Sequence, residues 1–265
     1  MRILFVGDVV GAPGRRIVRQ HLKGLKRDIG ADLTIVNGEN AAGGAGLTTA
    51  TAQELFAAGA DVITTGNHVW DKREVLWLLE REPRLLRPAN YPEGSPGAGV
   101  VVVPVAGANV AVLNLMGRLF MPLLDDPFRA TDRILDEIRG AAPVVVVDFH
   151  AEATSEKMAF AWSLDGRVSA VLGTHTHVAT ADARLLPGGT AFITDVGMTG
   201  SFDSVIGVKK EQAIERFRTS RSIPYETADG DVRLAAVRVD VDPASGRALA
   251  IERIELKESD GGAVR

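Results

Sequence analysis

Cysteine is absent from this chain of 265 residues, and so is any long hydrophobic run. Without cysteine the protein has no disulfide, no thiolate metal ligand and no cysteine nucleophile, so a metal site must use nitrogen and oxygen donors. No segment approaches the roughly 20 consecutive apolar residues that a helix needs to cross a bilayer. These absences predict a soluble protein that does not span a membrane.

An excess of basic residues is also missing, because the formal net charge is -4. Binding along a nucleic-acid backbone depends on many lysine and arginine contacts to phosphate, so extended nucleic-acid binding is not expected. A single nucleotide or a short end in a local pocket stays open. The first residues, 1–8, are too soon interrupted by polar residues to be a signal sequence, so we expect a cytoplasmic protein.

The hydrophobic pattern of the first half alternates between strand and helix spacing, which is typical of a parallel sheet with helices packed on it. The predicted strands are 2–6, 33–36 and 62–64, and the predicted helices are 14–29, 49–58 and 72–81.

The second half reads as rich in strands. The predicted strands are 99–105, 109–115, 144–148, 168–172, 190–194, 231–241 and 248–256, with one helix at 130–139. Together the halves predict an α/β fold in which two sheets pack face to face with helices outside. With no linker or internal repeat, we expect one domain over 1–257 and a frayed end over 258–265.

Four of the five histidines, His68, His150, His175 and His177, come just after short apolar runs. In an open α/β sheet the loops at the carboxyl ends of the strands gather at one edge, where ligands bind. Imidazole binds transition metals and transfers protons near neutral pH. The placement predicts a metal or acid–base site and therefore an enzyme. The fifth, His21, lies among basic residues of the first helix and is expected at the surface.

Oxygen donors follow the first two strands. Asp8, in Gly7-Asp8-Val9-Val10-Gly11, is either a metal ligand or a helix cap; the loop lacks the glycine spacing and lysine of nucleotide-binding loops. Glu39 and Asn40 stand on a glycine-rich loop and offer two adjacent oxygen ligands, although the loop by itself favours a polar turn.

Two further motifs are more specific. In Gly66-Asn67-His68 the Asn67 amide oxygen can bind a metal while His68 faces the substrate as a proton donor. In His175-Thr176-His177, alternate side chains of an extended segment project to the same side, so both imidazoles would reach neighbouring metals. Two histidines with satisfied hydrogen bonds in a polar core are the alternative that we favour less.

The ordered set resembles the calcineurin-like metallophosphoesterase superfamily, and in particular its YmdB-like bacterial branch. The motifs that carry the resemblance are Gly7-Asp8-Val9-Val10-Gly11, Asn37-Gly38-Glu39-Asn40, Gly66-Asn67-His68-Val69-Trp70-Asp71, His150 and Gly173-Thr174-His175-Thr176-His177. The resemblance covers nearly the whole chain. It implies a sandwich of two mixed β-sheets flanked by helices, a dinuclear metal centre, and phosphodiesterase activity that includes 2′,3′-cyclic nucleotides.

The chain departs from the broad superfamily at two positions: Val10 stands where a histidine is usual, and Glu39 stands where an aspartate bridges the metals. The ligand sets that the resemblance implies are Asp8, Glu39, Asn40 and His177 for the first metal and Glu39, Asn67, His150 and His175 for the second. We expect two divalent ions, and because the first site is rich in oxygen, iron or manganese should suit it at least as well as zinc.

The resemblance implies attack on phosphorus by a metal-bridging hydroxide, with His68 as the general acid that protonates the departing ribose oxygen. Asp71 either orients that imidazole or caps the next helix, and the sequence favours the cap. A phosphomonoesterase, a nuclease or a protein phosphatase could use the same centre. A regulatory protein that binds a partner is a different alternative, which alanine at Asp8 and Glu39 would separate from hydrolysis.

The segment 116–123, which contains Arg118 and Phe120, lies between regular elements and carries several apolar residues. It could form a lid that stacks on a base, or it could pack into the core beneath a loop. The family's enzymes commonly self-associate, so a homo-oligomer that acts on a small phosphodiester or nucleotide is expected.

Overall fold

The computed structural model describes residues 1–260. Strands and helices alternate in the first half, as the sequence predicts. Its elements are β1 (Arg2–Val6), α1 (Gly11–Ile29), β2 (Leu33–Asn37), α2 (Thr49–Ala58), β3 (Val62–Thr64) and α3 (Val75–Arg81). Among the described residues, no helix is both long and apolar enough to cross a membrane.

The second half holds more helix than the sequence predicts. Its elements are β4 (Val100–Val105), β5 (Ala108–Met116), α4 (Pro127–Glu137), β6 (Val144–His150), α5 (Thr154–Ser163), β7 (Ala170–Thr174), β8 (Arg184–Leu185), β9 (Ala191–Ile193), β10 (Gly200–Ser201), α6 (Lys210–Thr219), β11 (Val232–Val241) and β12 (Ala248–Lys257). The prediction missed α5 and α6. The buried face of α5 includes the polar residues Glu156 and Lys157, and α6 is mostly exposed, so neither shows a clear apolar stripe.

Two mixed sheets form the centre of the fold, which confirms the predicted class. The first has the order β10-β11-β1-β2-β3, with β12 paired to β11; β1, β2 and β3 run parallel to one another. The second has the order β4-β5-β6-β7-β9-β8, in which β5, β6, β7 and β9 are parallel. Antiparallel strands lie at or near the edges.

Alternation along the strands sends side chains to two different cores. In β1, Phe5 packs between the sheets with residues such as Val146, while Val6 packs outward against Ile17 of α1. The second sheet packs its outer face against α4 and α5. Each central strand is therefore buried on both faces, which is why its sequence reads as a continuous apolar run.

The end of the described chain is ordered around one ion pair. Residues Glu258–Asp260 form a short 3-10 turn, and Glu258 Oε1 accepts a hydrogen bond from Arg16 Nε at 2.8 Å. The rest of the segment that the sequence predicts to be frayed, 261–265, lies outside the described residues. Both the frayed end and the single domain over 1–257 stay predictions.

Candidate metal centre

All eight predicted site residues meet where the parallel strands of the two sheets end. Asp8, Glu39 and Asn67 follow β1, β2 and β3, respectively. His150 is the last residue of β6, although the sequence predicted that this strand ends before it, at residue 148. His175 follows β7. The common location follows from the parallel direction of these strands, whose carboxyl ends share an edge of each sheet.

Three donors surround one nitrogen of His150. Its Nε2 lies 2.7 Å from Glu39 Oε2, 3.1 Å from the amide oxygen of Asn67 and 3.1 Å from His175 Nδ1. A second pair lies alongside, where His177 Nε2 is 3.2 Å from the amide oxygen of Asn40. Two ligands about 2.1 Å from one metal and at right angles to each other lie about 3 Å apart. These spacings are therefore those of donors that share a metal ion.

The outer nitrogen of each imidazole has a partner that assigns its proton. Thr174 Oγ1 gives its proton to Asp148, so it accepts from His150 Nδ1, 2.9 Å away. The carbonyl of Ile206 can only accept, so His177 Nδ1 at 2.9 Å carries the proton. These assignments leave both Nε2 atoms with free lone pairs that face the site.

His175 presents its other nitrogen. Its Nε2 lies 3.2 Å from the Glu152 carboxylate, which accepts the proton and leaves Nδ1 free toward His150. The inner nitrogens of His150 and His177 thus face carboxylate or amide oxygens, and that of His175 faces the inner nitrogen of His150. One proton could satisfy only one of these contacts, whereas a cation satisfies several together.

Two buried carboxylate oxygens without hydrogen-bond partners bear on whether a cation fits the site. Within the part of the chain that the structure describes, Asp8 Oδ1 and Glu39 Oε2 have no hydrogen-bond partner. A buried polar atom without a partner is costly, and a bound metal would remove that cost. Among residues 1–260, histidine, aspartate and glutamate side chains alone form no group of three able to hold an ion. A complete ligand set at this point would therefore draw on amide oxygens as well, such as those of Asn40 and Asn67.

Gly66 lets the two sheets approach each other at this point. A Cβ atom there would lie 1.8 Å from Glu39 Oε2 and 2.3 Å from His150 Nε2. The glycine of the Gly66-Asn67-His68 motif is therefore required by the space that the donors occupy, and not by its backbone angles.

Burial sets the protonation of the donors. It raises the pKa of Asp8 well above its usual value, aided by the negative charge of Asp195, and it raises the pKa of Glu39. It also lowers the pKa of His150 and His177, and that of His175 to about 3. The histidines are thus neutral, as metal ligands must be, while the carboxylates lack a compensating positive charge.

The His175–His177 segment is a strained bend, so the prediction of an extended segment is wrong. The φ angles of His175 and His177 are 98° and 65°, in the region that favours glycine. A fully buried ion pair supports the bend: Lys157 Nζ binds both Asp195 Oδ2 and Thr174 O at 2.7 Å. Asp195 in turn accepts hydrogen bonds from the backbone and hydroxyl of Thr176.

The capping alternatives for two aspartates are wrong. The N-cap of α1 is Val10, and Asp8 instead accepts from the His175 backbone at 3.2 Å. The N-cap of α3 is Glu74, whereas Asp71 Oδ2 lies 2.8 Å from His68 Nδ1. The less favoured prediction, that Asp71 orients the His68 imidazole, agrees with this contact.

A cavity of about 440 Å³ opens beside the donors. It is lined by His68 and His177, by Val10 where a histidine is usual, and by Arg216 and Tyr225. The Arg216 guanidinium carbon lies 4.8 Å from the centre of the Tyr225 ring. Sequence reasoning missed this wall because α6 carries no clear apolar pattern and Tyr225 follows it.

Most of the predicted lid is exposed, whereas its first residue, Met116, is the buried last residue of β5 and does not lie between regular elements. Phe120 is 90% exposed and Leu123 is 94% exposed, so the alternative of core packing is wrong for both. The lid stays a prediction.

His21 is half-buried, and the expected surface position holds only in part.

Several supporting residues also escaped sequence reasoning. Asp148 and Glu152 stand two positions before and after His150, so the sequence showed their positions but not their roles. Thr174 stands between two recognised motif residues. Lys157 and Asp195 gave no local signal, because a buried ion pair between distant residues leaves none.

Comparisons with known proteins identify the family and the fold. A model of the family described as YmdB-like protein matches residues 4–254. The chain is 50% identical to a 2′,3′-cyclic-nucleotide 2′-phosphodiesterase of Bacillus subtilis, over 97% of this chain and 98% of that protein. A hypothetical protein from Thermus thermophilus is 49% identical, with a TM-score of 0.93 over 97% of this chain and 100% of the other. A phosphatase from Mycoplasma pneumoniae is 37% identical, with a TM-score of 0.92 over 97% and 93%.

Proposed function

The chain belongs to the YmdB-like family, and we propose that it hydrolyses small phosphodiesters, 2′,3′-cyclic nucleotides among them, with the aid of two divalent metal ions. Its activity as a phosphoric diester hydrolase follows from its 50% identity to the Bacillus subtilis phosphodiesterase. The metal dependence, the cyclic substrate and the roles of individual residues are the proposal.

The observation that carries the proposal is the set of lone pairs that face one another around His150 Nε2. We assign Asp8, Glu39, Asn40 and His177 to one ion and Glu39, Asn67, His150 and His175 to the other. When bound, divalent ions supply positive charge to phosphate oxygens and make a water acidic enough to act as a nucleophile near neutral pH. Oxygen-rich coordination favours manganese or iron at least as much as zinc.

His68 is the proposed general acid. It lines the cavity, and it is tied to the centre through its backbone N–H, which donates to Glu39 Oε1 at 3.0 Å. Its Nδ1 faces the Asp71 carboxylate, which leaves Nε2 to carry a proton to the departing oxygen. Asp71 orients the ring in this scheme.

The cavity supports a substrate of nucleotide size. Its volume of about 440 Å³ lies within the usual range for small-molecule sites, roughly 300–1,000 Å³. Tyr225 and Arg216 offer an aromatic face and a positive charge on its wall. The net charge of -4 supports a small substrate over extended nucleic acid. The cytoplasmic location and self-association stay predictions.

The test is a substrate panel on metal-stripped protein to which manganese, iron(II) or zinc is added back. The panel holds 2′,3′-cyclic nucleotides, bis-p-nitrophenyl phosphate, p-nitrophenyl phosphate and a short RNA. We expect metal-dependent turnover of the diesters above that of the monoester. If no diester is hydrolysed with any of the three metals, the proposal is wrong. The Glu39→Gln protein serves as the inactive control.

A further inference from the structure

We infer that Asp148 is a positioning residue that acts through the Thr174 hydroxyl to fix the proton of His150 on Nδ1, so that Nε2 stays free for a metal ion. The inference rests on the metal centre proposed above. It adds a role for two residues that contact neither the ion nor the substrate.

The chain of contacts runs between adjacent parallel strands. In the β6–β7 register His150 is opposite Thr174, and Asp148 is opposite Leu172. Thr174 Oγ1 donates to Asp148 Oδ1 at 2.7 Å and lies 2.9 Å from His150 Nδ1. A hydroxyl has a single proton. Once that proton points to the ionised carboxylate, the oxygen can only accept from the imidazole.

The other oxygen of Asp148 is fixed as an acceptor as well. Asn37 Oδ1 accepts from the Glu39 backbone N–H at 3.1 Å, which turns the Asn37 amide group toward Asp148 Oδ2 at 2.9 Å. Thr64 Oγ1 donates to the same oxygen. All of these side chains are buried, so water does not offer an alternative partner.

This polarity makes Asp148→Asn a sharp test. The new side chain has nearly the same shape, but its NH₂ cannot face the NH₂ of Asn37. It must therefore face Thr174 and donate to the hydroxyl, whose proton then turns toward His150 Nδ1. The imidazole has to carry its own proton on Nε2, and a protonated nitrogen cannot bind a metal.

The experiment measures two quantities on metal-stripped protein at pH 8. The first is the ring ¹⁵N chemical shift of His150, which reports the protonated nitrogen; we expect Nδ1–H in the wild type and Nε2–H in Asp148→Asn. The second is the affinity for manganese by titration. We expect the ion held by His150 to bind about 10–100-fold more weakly, the range for loss of an outer partner of a metal ligand.

Control variants separate this role from a general effect on folding. Asp182→Asn alters another aspartate that accepts from two threonine hydroxyls, those of Thr180 and Thr194, and should leave both readouts unchanged. Thr174→Ser keeps the hydroxyl and should match the wild type, whereas Thr174→Val should weaken metal binding.

An unchanged tautomer and unchanged manganese affinity in Asp148→Asn would overturn the inference. If that variant does not fold, equal tautomers and affinities in Thr174→Ser and Thr174→Val would overturn it as well. If the wild type binds no manganese, the proposed metal centre is wrong, yet the tautomers of the metal-free proteins still decide the relay. The two failures are thus distinguishable.

Discussion

The two sheets supply the candidate metal centre with different kinds of donor. The first sheet carries oxygen, from Asp8, Glu39, Asn40 and Asn67; the second carries nitrogen, from His150, His175 and His177. The carboxylates of the first sheet are buried and keep oxygens without partners among residues 1–260. Each imidazole of the second sheet is instead held by a partner on its outer nitrogen.

The difference follows from the chemistry of the donors. A carboxylate binds a metal with either oxygen, so the fold needs only to place it. An imidazole has two nitrogens that exchange roles, so the fold must also decide which of them carries the proton. The oxygen half of the site, on the first sheet, therefore lacks a compensating positive charge when no cation is bound. In the nitrogen half, on the second sheet, the hydrogen bonds assign the protons before any cation binds.

The largest expected effect comes from replacing one donor in each half of the site. Glu39→Gln and His150→Ala should both reduce diester hydrolysis on the order of 10³-fold or more, beyond the ten- to hundredfold loss typical of outer partners. Their metal-free proteins should differ in thermal unfolding. Glu39→Gln removes a buried charge and should raise the melting temperature, whereas His150→Ala leaves a cavity and should lower it. A shift in the same direction for both would contradict the comparison.

The junction between the halves is the next target. Gly66→Ala would place a methyl group 1.8 Å from Glu39 Oε2, so the donors must move apart. We expect manganese affinity and hydrolysis to fall about 100-fold or more, measured by titration and by initial rates. Gly24→Ala is the control. Apart from its chain neighbours and the backbone of its own helix, a Cβ there meets no atom of residues 1–260 within 4 Å, and the helix should gain about 0.5–1 kcal/mol.

Substitution of His68 should separate catalysis from metal binding. His68→Ala should slow hydrolysis of 2′,3′-cyclic nucleotides by about 10²–10⁴-fold, because loss of a general acid matters most for a poor leaving group. Bis-p-nitrophenyl phosphate, whose leaving group needs no proton, should be affected much less. Metal content measured by elemental analysis should stay at the wild-type level. A loss of metal would show that His68 is itself a metal ligand, a nitrogen donor on the sheet that otherwise supplies oxygen.

The pH dependence of metal binding should also divide between the halves. The pKa values of Asp8 and Glu39 are raised, so both groups take up protons at a higher pH than ordinary carboxylates do. A metal ion competes with those protons, so its affinity should fall as the pH is lowered. The pKa of His175 is about 3, so this ligand releases none near neutral pH. Calorimetric titrations in two buffers of different ionisation enthalpy count the released protons. Glu39→Gln should release fewer, and His175→Gln should not.

The pKa shift of another buried carboxyl, that of Asp148, predicts how the stability of the metal-free protein depends on pH. The pKa of Asp148 is raised from 3.8 to about 7. The contribution of this shift to the free energy of unfolding is therefore fully present below pH 3.8 and is lost as the pH rises through 7. Relative to the wild type, Asp148→Asn should therefore gain stability from pH 4 to pH 7, by up to about 1.4 kcal/mol per pH unit. Urea unfolding at several pH values measures this difference, and a constant difference would contradict the assignment.

The smallest effect concerns the exposed segment outside both halves. If it is a lid that stacks on a base, Phe120→Ala should raise the Michaelis constant for a cyclic nucleotide severalfold and leave metal affinity unchanged. The melting temperature should change little, because the ring is 90% exposed. An unchanged Michaelis constant would rule out the lid.

Local patterns were enough to predict most of the fold. The strands β1, β2 and β3 are short apolar runs bounded by polar turns, and the sequence places them within one or two residues of their observed bounds. The helices α5 and α6 were missed because burial of Lys157 in one and exposure of most of the other hide the helical period. Tertiary packing decided both cases.

The identity and order of the candidate ligands were determined by the sequence alone. Polar residues that follow buried parallel strands have to come out at one edge, and that rule needs no distant contact. Which donors face each other was decided only by the tertiary structure. Asn40 contacts His177, which lies 137 positions away in the sequence. The nitrogen of His150 that carries the proton depends on Thr174 in the neighbouring strand β7 and on Asp148 in the same strand, β6. Hydrogen-bond direction is set by all of the partners at once, so no single motif contains it.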